Sequence, residues 1–181
     1  MRFFLLLAVF LTAISAVYAD VQKIYLDEMD YTQIQQSWGQ PQACKSVDKN
    51  PIKIAGQVFD RGIGTHAISE VSIDLFKNAT EFNALVGLDD ETGYEGTIIF
   101  EVWGDGKQLA KSPVMKKDAS PYEIKVNIAK IKNLTLIVNS ADDGISCDHA
   151  DWANAYISYN STGKAPVMQH APMQPDPKIA H

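Results

Sequence analysis

From Ile52 onward, apolar and polar positions alternate. Val71, Ile73 and Leu75 are apolar, with Ser72 and Asp74 between them. Phe82, Ala84, Val86 and Leu88 form a second row, and Ile98, Phe100 and Val102 a third, with Glu101 opposite. Ile124, Val126 and Ile128 alternate with Lys125 and Asn127; Leu134, Leu136 and Val138 follow; Ala153, Ala155 and Ile157 close the series. Successive side chains on a strand point to opposite faces, so a period of two predicts strands with one buried face. Helical spacing is confined to a turn or two around Asp30 to Gln36. Asp105-Gly106 lies between two strand-like runs and predicts a two-residue hairpin, while Ser120-Pro121 and Asp143-Gly144 mark further turns. Short strands at near-regular spacing with antiparallel connections predict an all-β domain, a β-sandwich or jelly roll.

The two ends of the chain depart from this pattern. Met1-Arg2 is a short positive start, Phe3 to Ile14 is almost unbroken apolar sequence, and Val17-Tyr18-Ala19 offers small residues at a cleavable site. This reads as a secretory signal peptide over residues 1–19, so the product is expected to be secreted or periplasmic. The apolar run is shorter than the roughly 20 residues of a membrane-crossing helix, and no later segment approaches that length. Residues 20–159 suit one domain with its own core. Residues 160–181 hold four of the eight prolines and no periodic apolar pattern, and are expected to form a linker or disordered tail. His170 and His181 lie there and are expected to be solvated.

The net charge of −6 argues against nucleic-acid or anionic-membrane partners, which need Lys/Arg clusters; the longest basic run is Lys116-Lys117. In an exported chain two cysteines usually pair, so Cys44 and Cys147 are expected to form a disulfide joining a loop near the start of the domain to one near its end. Asn78, Asn133 and Asn160 begin N-x-S/T sequons.

Three clusters carry candidate chemistry. Arg61-Gly62-Ile63-Gly64-Thr65-His66-Ala67 has the glycines of a phosphate loop, but an alternating strand follows it rather than a helix. The nucleotide reading therefore fails, and the glycines serve close backbone approach. Asp89-Asp90-Glu91 could bind calcium, accept bonds from sugar hydroxyls, or face water. Asp142-Asp143-Gly144 and Asp148-His149-Ala150-Asp151-Trp152 combine carboxylate, imidazole and indole, and Trp38 in Ser37-Trp38-Gly39 adds an aromatic in a loop. No Gly-x-Ser-x-Gly or His-Glu-x-x-His motif is present, and no nucleophile with a placed base can be named. Sugar binding asks for less: an aromatic face and a few planar polar groups.

These motifs, together with Tyr25-Leu26, Asp30-Tyr31, Val86-Gly87-Leu88-Asp89-Asp90-Glu91, Val102-Trp103-Gly104-Asp105-Gly106 and Asp148-His149-Ala150-Asp151-Trp152-Ala153, resemble the NPCBM/NEW2 family of carbohydrate-binding modules. The resemblance runs from about Tyr25 to Tyr159. It implies a galactose-binding-domain-like β-sandwich (jelly roll) that binds galactose-containing glycans at loops on one end, with a structural calcium ion (Ca2+). It also implies attachment to a glycoside hydrolase catalytic domain, α-galactosidase-type enzymes among them. By that resemblance Trp38 is the platform, His66 and His149 bond hydroxyls, Arg61 or Glu91 assists, and Asp148 is a further carbohydrate-binding position. Asp89, Asp90 and Asp151 are the carboxylates for the metal. Trp152 is expected in the core and Trp103 in packing. Two other readings remain open here: an accessory fragment of a glycoside hydrolase, and a structural or adhesion sandwich that recognises protein.

Overall fold

The computed structural model describes residues 20–92, 96–141 and 143–170. Residues 1–19, where a signal peptide is expected, Asp142 and residues 171–181, including His181, lie outside the described residues. Each alternating row of the sequence is a strand. In chain order they are β1 (Val21–Tyr25), β2 (Gln35–Gln36), β3 (Gln42–Ala43), β4 (Ile52–Ile54), β5 (Gln57–Phe59), β6 (Gly62–His66), β7 (Ser69–Asp74) and β8 (Ala79–Leu88). Then follow β9 (Thr97–Gly104), β10 (Lys107–Lys111), β11 (Met115–Lys116), β12 (Tyr122–Asn127), β13 (Asn133–Asn139), β14 (His149–Asn160) and β15 (Val167–Gln169). The helical spacing near residue 30 is one 3-10 turn, Tyr31–Gln33, preceded by another at Leu26–Glu28. Among the described residues no helix is long and apolar enough to cross a membrane.

The strands form two antiparallel sheets. One runs β12-β8-β14-β6-β3, with β1 also on β14; the other runs β10-β9-β13-β7-β15, with β11 on β9 and β2 on β7. Their inward residues share one core, including Phe82, Val86, Phe100, Leu134 and Leu136. Trp152 is buried at its centre, edge-on to Phe100 at 4.9 Å between ring centroids and to Phe82 at 6.0 Å. Trp103 is half-buried on β9, and its indole N–H donates to Glu101 at 2.8 Å. Asp105 and Gly106, at φ 48° and 78°, make the two-residue hairpin between β9 and β10. Both values are positive, as the turn type that matches strand twist requires. The β4–β5 hairpin stands apart from the sheets. It packs Ile52, Ile54 and Phe59 against Ala153 and Leu85 on the outer face of the first sheet.

Two expectations are corrected. Residues 160–170 are not a free tail: Asn78 Nδ2 donates to the carbonyls of Asn160 (2.8 Å) and Lys164 (3.0 Å), and β15 pairs with β7. Pro166 and Met168 are buried while His170 is exposed, so two side chains suffice to seat a segment without periodicity. The second correction concerns the cysteines, which are both free. The Cys44 amide donates to Gly62, at one end of β6. Cys147 precedes His149, which pairs with His66 at the other end. Four strand residues separate these ends by about 13 Å, beyond the roughly 7 Å between Cα atoms that a disulfide tolerates.

Candidate functional site

The pairing of β6 with β14 sets His66 directly opposite His149, and Gly64 opposite Asp151. Ile63 and Trp152 face the core, so alternation turns these four to the outer face. Trp38 comes from the loop after β2. Ser37 fastens that loop: its hydroxyl donates to the Ala67 carbonyl (2.5 Å) and accepts from the Ile68 amide (2.9 Å). The half-exposed Trp38 ring lies 5.0 Å from the His66 ring and 5.6 Å from that of His149, and the two imidazoles are 5.3 Å apart. The indole and His149 are near parallel, at 26°. Glu91, from the loop after β8, completes the cluster. It accepts from His149 Nδ1 (2.8 Å), Ser46 Oγ (2.6 Å), Asn50 Nδ2 (2.8 Å) and the Asp48 amide (3.3 Å). Asp48 Oδ2 stands 3.8 Å from His149 Nδ1.

The segment carrying Ser46, Asp48 and Asn50 reaches this face because Gly64 has no side chain. A Cβ there would stand 2.3 Å from the Lys45 carbonyl and 2.6 Å from Ser46 backbone. The segment closes on itself through a Ser46 amide bond to the Asn50 carbonyl (2.9 Å) and the Asn50 amide on Ser46 Oγ (3.1 Å).

Each imidazole has a defined protonation. His66 Nδ1 lies 2.6 Å from the Ala67 carbonyl, which can only accept, so Nδ1 carries the proton and Nε2 is an acceptor. Burial, with His149 nearby, holds the His66 pKa below its ordinary value and keeps the ring neutral. Burial also acts to lower His149, but the hydrogen bond and charge of Glu91, with Asp48 and Asp89, outweigh it and raise its pKa. Burial acts to raise Glu91, but its bonds from His149, Ser46, Asn50 and the Asp48 amide hold it down at about 2. The face therefore presents an aromatic platform, a neutral imidazole acceptor, a second imidazole biased toward its charged form, and an ionised carboxylate.

Next to His149 on the same face, Asp151 is fully buried, and no donor among the described residues reaches either carboxylate oxygen. Asp89, also buried, comes against it. Asp89 accepts from the Glu91 amide (2.8 Å) and the Lys53 amide (2.9 Å). Burial, reinforced by the Asp89 charge, drives the Asp151 pKa well up. Amide donors favour the charged form of Asp89, so within the pair Asp151 is the partner that takes up a proton. An oxygen-only pair with unpartnered lone pairs also fits a hard divalent cation. Asp90 uses Oδ2 elsewhere, accepting from the Gly56 amide (2.8 Å) and lying 3.7 Å from Lys53 Nζ, while its buried Oδ1 has no donor among the described residues.

The NPCBM/NEW2 domain profile matches residues 22–158. The chain belongs to the NPCBM family. It is therefore a carbohydrate-binding module. The CBM51 module of Clostridium perfringens GH95, solved in complex with methyl-galactose, is 32% identical with a TM-score of 0.70, covering 75% of this chain and 99% of that one. The second CBM51 module of Clostridium perfringens ZmpB, solved with its INT domains, is 26% identical with a TM-score of 0.71, covering 77% of this chain and 32% of that one. Two curated relatives match in sequence. A Renibacterium salmoninarum protein with the provisional name endo-alpha-N-acetylgalactosaminidase is 36% identical over 110 residues, 60% of this chain and 7% of that protein. The alpha-1,3-galactosidase B of Akkermansia muciniphila is 27% identical over 140 residues, 75% of this chain and 17% of that protein. The chain thus spans a small part of the curated relatives it matches.

In this NPCBM domain the outer face brings together Trp38, His66, Glu91 and His149, and two expected members fall elsewhere. Arg61 sits at the opposite end of β6 from His66. Its Nε (3.1 Å) and Nη2 (2.7 Å) donate to Asp27 Oδ2, Nη2 also reaches Glu28 (2.7 Å), and the guanidinium lies 3.8 Å over the Tyr25 ring. Asp148 is buried, and its Oδ1 accepts from the Thr97 amide at 3.0 Å. As the residue before His149 it turns the other way, and burial pushes its pKa up to about 7. Ser46, Asp48 and Asn50 were not among the expected residues. Their only signal is a short loop-like stretch, Ser46 to Asn50, polar except for the buried Val47.

Proposed function

We propose that this chain is an exported, non-catalytic module whose Trp38, His66, His149 and Glu91 cluster holds a galactose-type terminal sugar. The observation that carries the proposal is the half-exposed indole beside two imidazoles of opposite proton character and an ionised carboxylate. The apolar face of a pyranose packs on the indole, and its hydroxyls donate to His66 Nε2 and accept from His149 Nε2–H, with Glu91 orienting His149 through its Nδ1. The galactoside complex of the similar Clostridium perfringens module supports the sugar class. Glu91 is pinned in its charged state by four donors, which suits holding His149 in place and not the proton donation that glycoside hydrolysis demands of one carboxyl. The glycosidase relatives, much longer than this chain, support a role on or beside a glycoside hydrolase, where a weak single site gains avidity from attachment. The apolar start of the sequence supports export.

A structural calcium ion belongs to the same reading, with Asp89 and Asp151 as the side chains that would hold it. A cation there would neutralise the buried pair and brace the loop that carries Glu91. Ligand that binds only the folded state raises Tm with concentration, so a melt in millimolar calcium against chelator reads it directly. An unchanged Tm removes calcium from the proposal.

The test of sugar binding is a glycan-array screen of the full chain. Galactose-ended glycans are expected to bind, and Trp38→Ala or His66→Ala to cut binding at least about tenfold with the fold retained. A folded protein with no saccharide response would overturn the reading in favour of protein adhesion.

A further inference from the structure

The β4–β5 hairpin buries Ile52, Ile54 and Phe59 and leaves Lys53 and Val58, which pair directly across it, on its free side. Between that side and the loop after β8 runs a groove of about 400 Å3, lined by Asn50, Pro51, Lys53, Val58, Asp90 and Glu91. Its volume lies in the range of small-molecule sites. Glu91 belongs to both places. Its Oε1 faces His149, while its Oε2 takes the Ser46 hydroxyl and the Asn50 amide that opens the groove.

We propose that this groove is a second saccharide subsite, which receives the residue next to the terminal sugar and selects an uncharged one. The inference rests on the sugar-binding reading above and extends it from a monosaccharide to a disaccharide. Three features point to this occupant. Val58 is 58% exposed and faces the groove beside Pro51, giving an apolar wall for the C–H face of a pyranose without an aromatic platform. Polar groups stand at the rim: the half-exposed Lys53 ammonium, and the exposed Asn50 side chain, whose Nδ2 is spent on Glu91 and leaves Oδ1 as an acceptor. The charge is lopsided. Asp89, Asp90 and Glu91 line the groove, and Lys53, the single cation in the lining, lies 3.7 Å from Asp90. A sulfated or carboxylated sugar entering there meets a lining in which carboxylates outnumber cations.

Calorimetric titration of the full chain tests this with methyl galactoside, a panel of neutral galactose-ended disaccharides, and a disaccharide sulfated on its second residue. At least one neutral disaccharide is expected to bind about fivefold tighter than methyl galactoside, the scale expected from covering one valine's exposed surface. Sulfation is expected to erase the gain. Val58→Asp and Lys53→Ala are each expected to abolish the gain while methyl galactoside affinity stays within about twofold. The proposal is overturned if methyl galactoside binds and no disaccharide binds tighter, or if the gain survives both substitutions or the sulfate. If no saccharide binds at all, the sugar-binding reading itself falls and takes the subsite with it.

Discussion

Gly64→Ala isolates the contact on which the polar side of the site depends. The position is not in the left-handed region, so alanine fits the backbone and only its methyl is at issue. That methyl would stand 2.3 Å from the Lys45 carbonyl and 2.6 Å from Ser46 backbone. Both neighbours are main chain and cannot rotate away, so the segment must retreat by about 1 Å to regain van der Waals contact. Overpacking of this kind costs about 1–3 kcal/mol. The retreat also stretches the three bonds by which Ser46, Asp48 and Asn50 hold Glu91, each worth about 1 kcal/mol or more with a charged acceptor. A net loss near 3 kcal/mol lowers Tm by about 6–12 °C in a domain of this size. Calorimetry gives the Tm, and hydrogen exchange at the Lys49 and Asn50 amides, both bonded to Ser46, reports the loop. Galactoside affinity should fall at least about tenfold, because Glu91 loses its fixed position. A variant with wild-type Tm, wild-type protection and unchanged affinity would refute the reasoning, showing that the segment shifts freely and does not position Glu91.

Asp148 gives the clearest pH dependence. Its pKa is raised from 3.8 to about 7 by burial, so the stability gained from a protonated carboxyl is complete below pH 3.8 and is lost as pH rises through about 7. Asp148→Asn should therefore be more stable than wild type at pH 8, by as much as about 4 kcal/mol, with the advantage shrinking toward pH 4; urea melts at both pH values measure it, and a pH-independent difference would contradict the assignment. Met168→Ala should cost about 2 kcal/mol and expose the β15 amides to exchange, since Met168 is 4% exposed and seats that strand; unchanged protection of β15 would show that backbone pairing alone holds it. Reducing agent should leave the melting curve unmoved, and thiol titration of the native protein should find Cys44, the exposed cysteine, reactive; a Tm that drops on reduction would reinstate a disulfide.

The sheets were legible because alternation reports burial directly: all but one of the apolar residues in the six rows are buried, Val126 on β12 being the half-buried exception. The site was legible one residue at a time but not as an assembly. His66, Glu91 and His149 lie in strands or adjoining loops whose motifs are readable, and Trp38 stands out as an aromatic in a loop. Ser46, Asp48 and Asn50 carry no such mark, because what brings them in is a missing side chain on β6. Arg61 was misplaced for the complementary reason. Five residues along an extended strand are about 16 Å, so closeness in sequence set Arg61 and His66 at opposite ends. Residues 160–170 were misread because proline content describes a segment's stiffness and not whether a neighbour has a seat for it.

The distribution of buried polarity separates stability from function in this fold. Between the two sheets the core is apolar, and Trp152 fills it with its neighbours edge-on. On the outer face, one residue away along β14, Asp151 is buried with no donor among the described residues, and beside it His149 is bonded to Glu91. Burying these groups costs stability that a packed apolar patch would not, so they are poor devices for holding the sandwich together. They do hold Glu91 and His149 at fixed positions beneath an exposed indole, with Glu91 kept ionised. A rigid, ionised hydrogen-bonding set is what recognition of a hydroxyl-rich ligand needs, because flexible groups would lose more entropy on ordering than their bonds return. The stable core and the costly outer face are then two sides of the same strand: the inward residues of β14 anchor the sheet so that its outward residues can be held in an arrangement that folding alone would not favour.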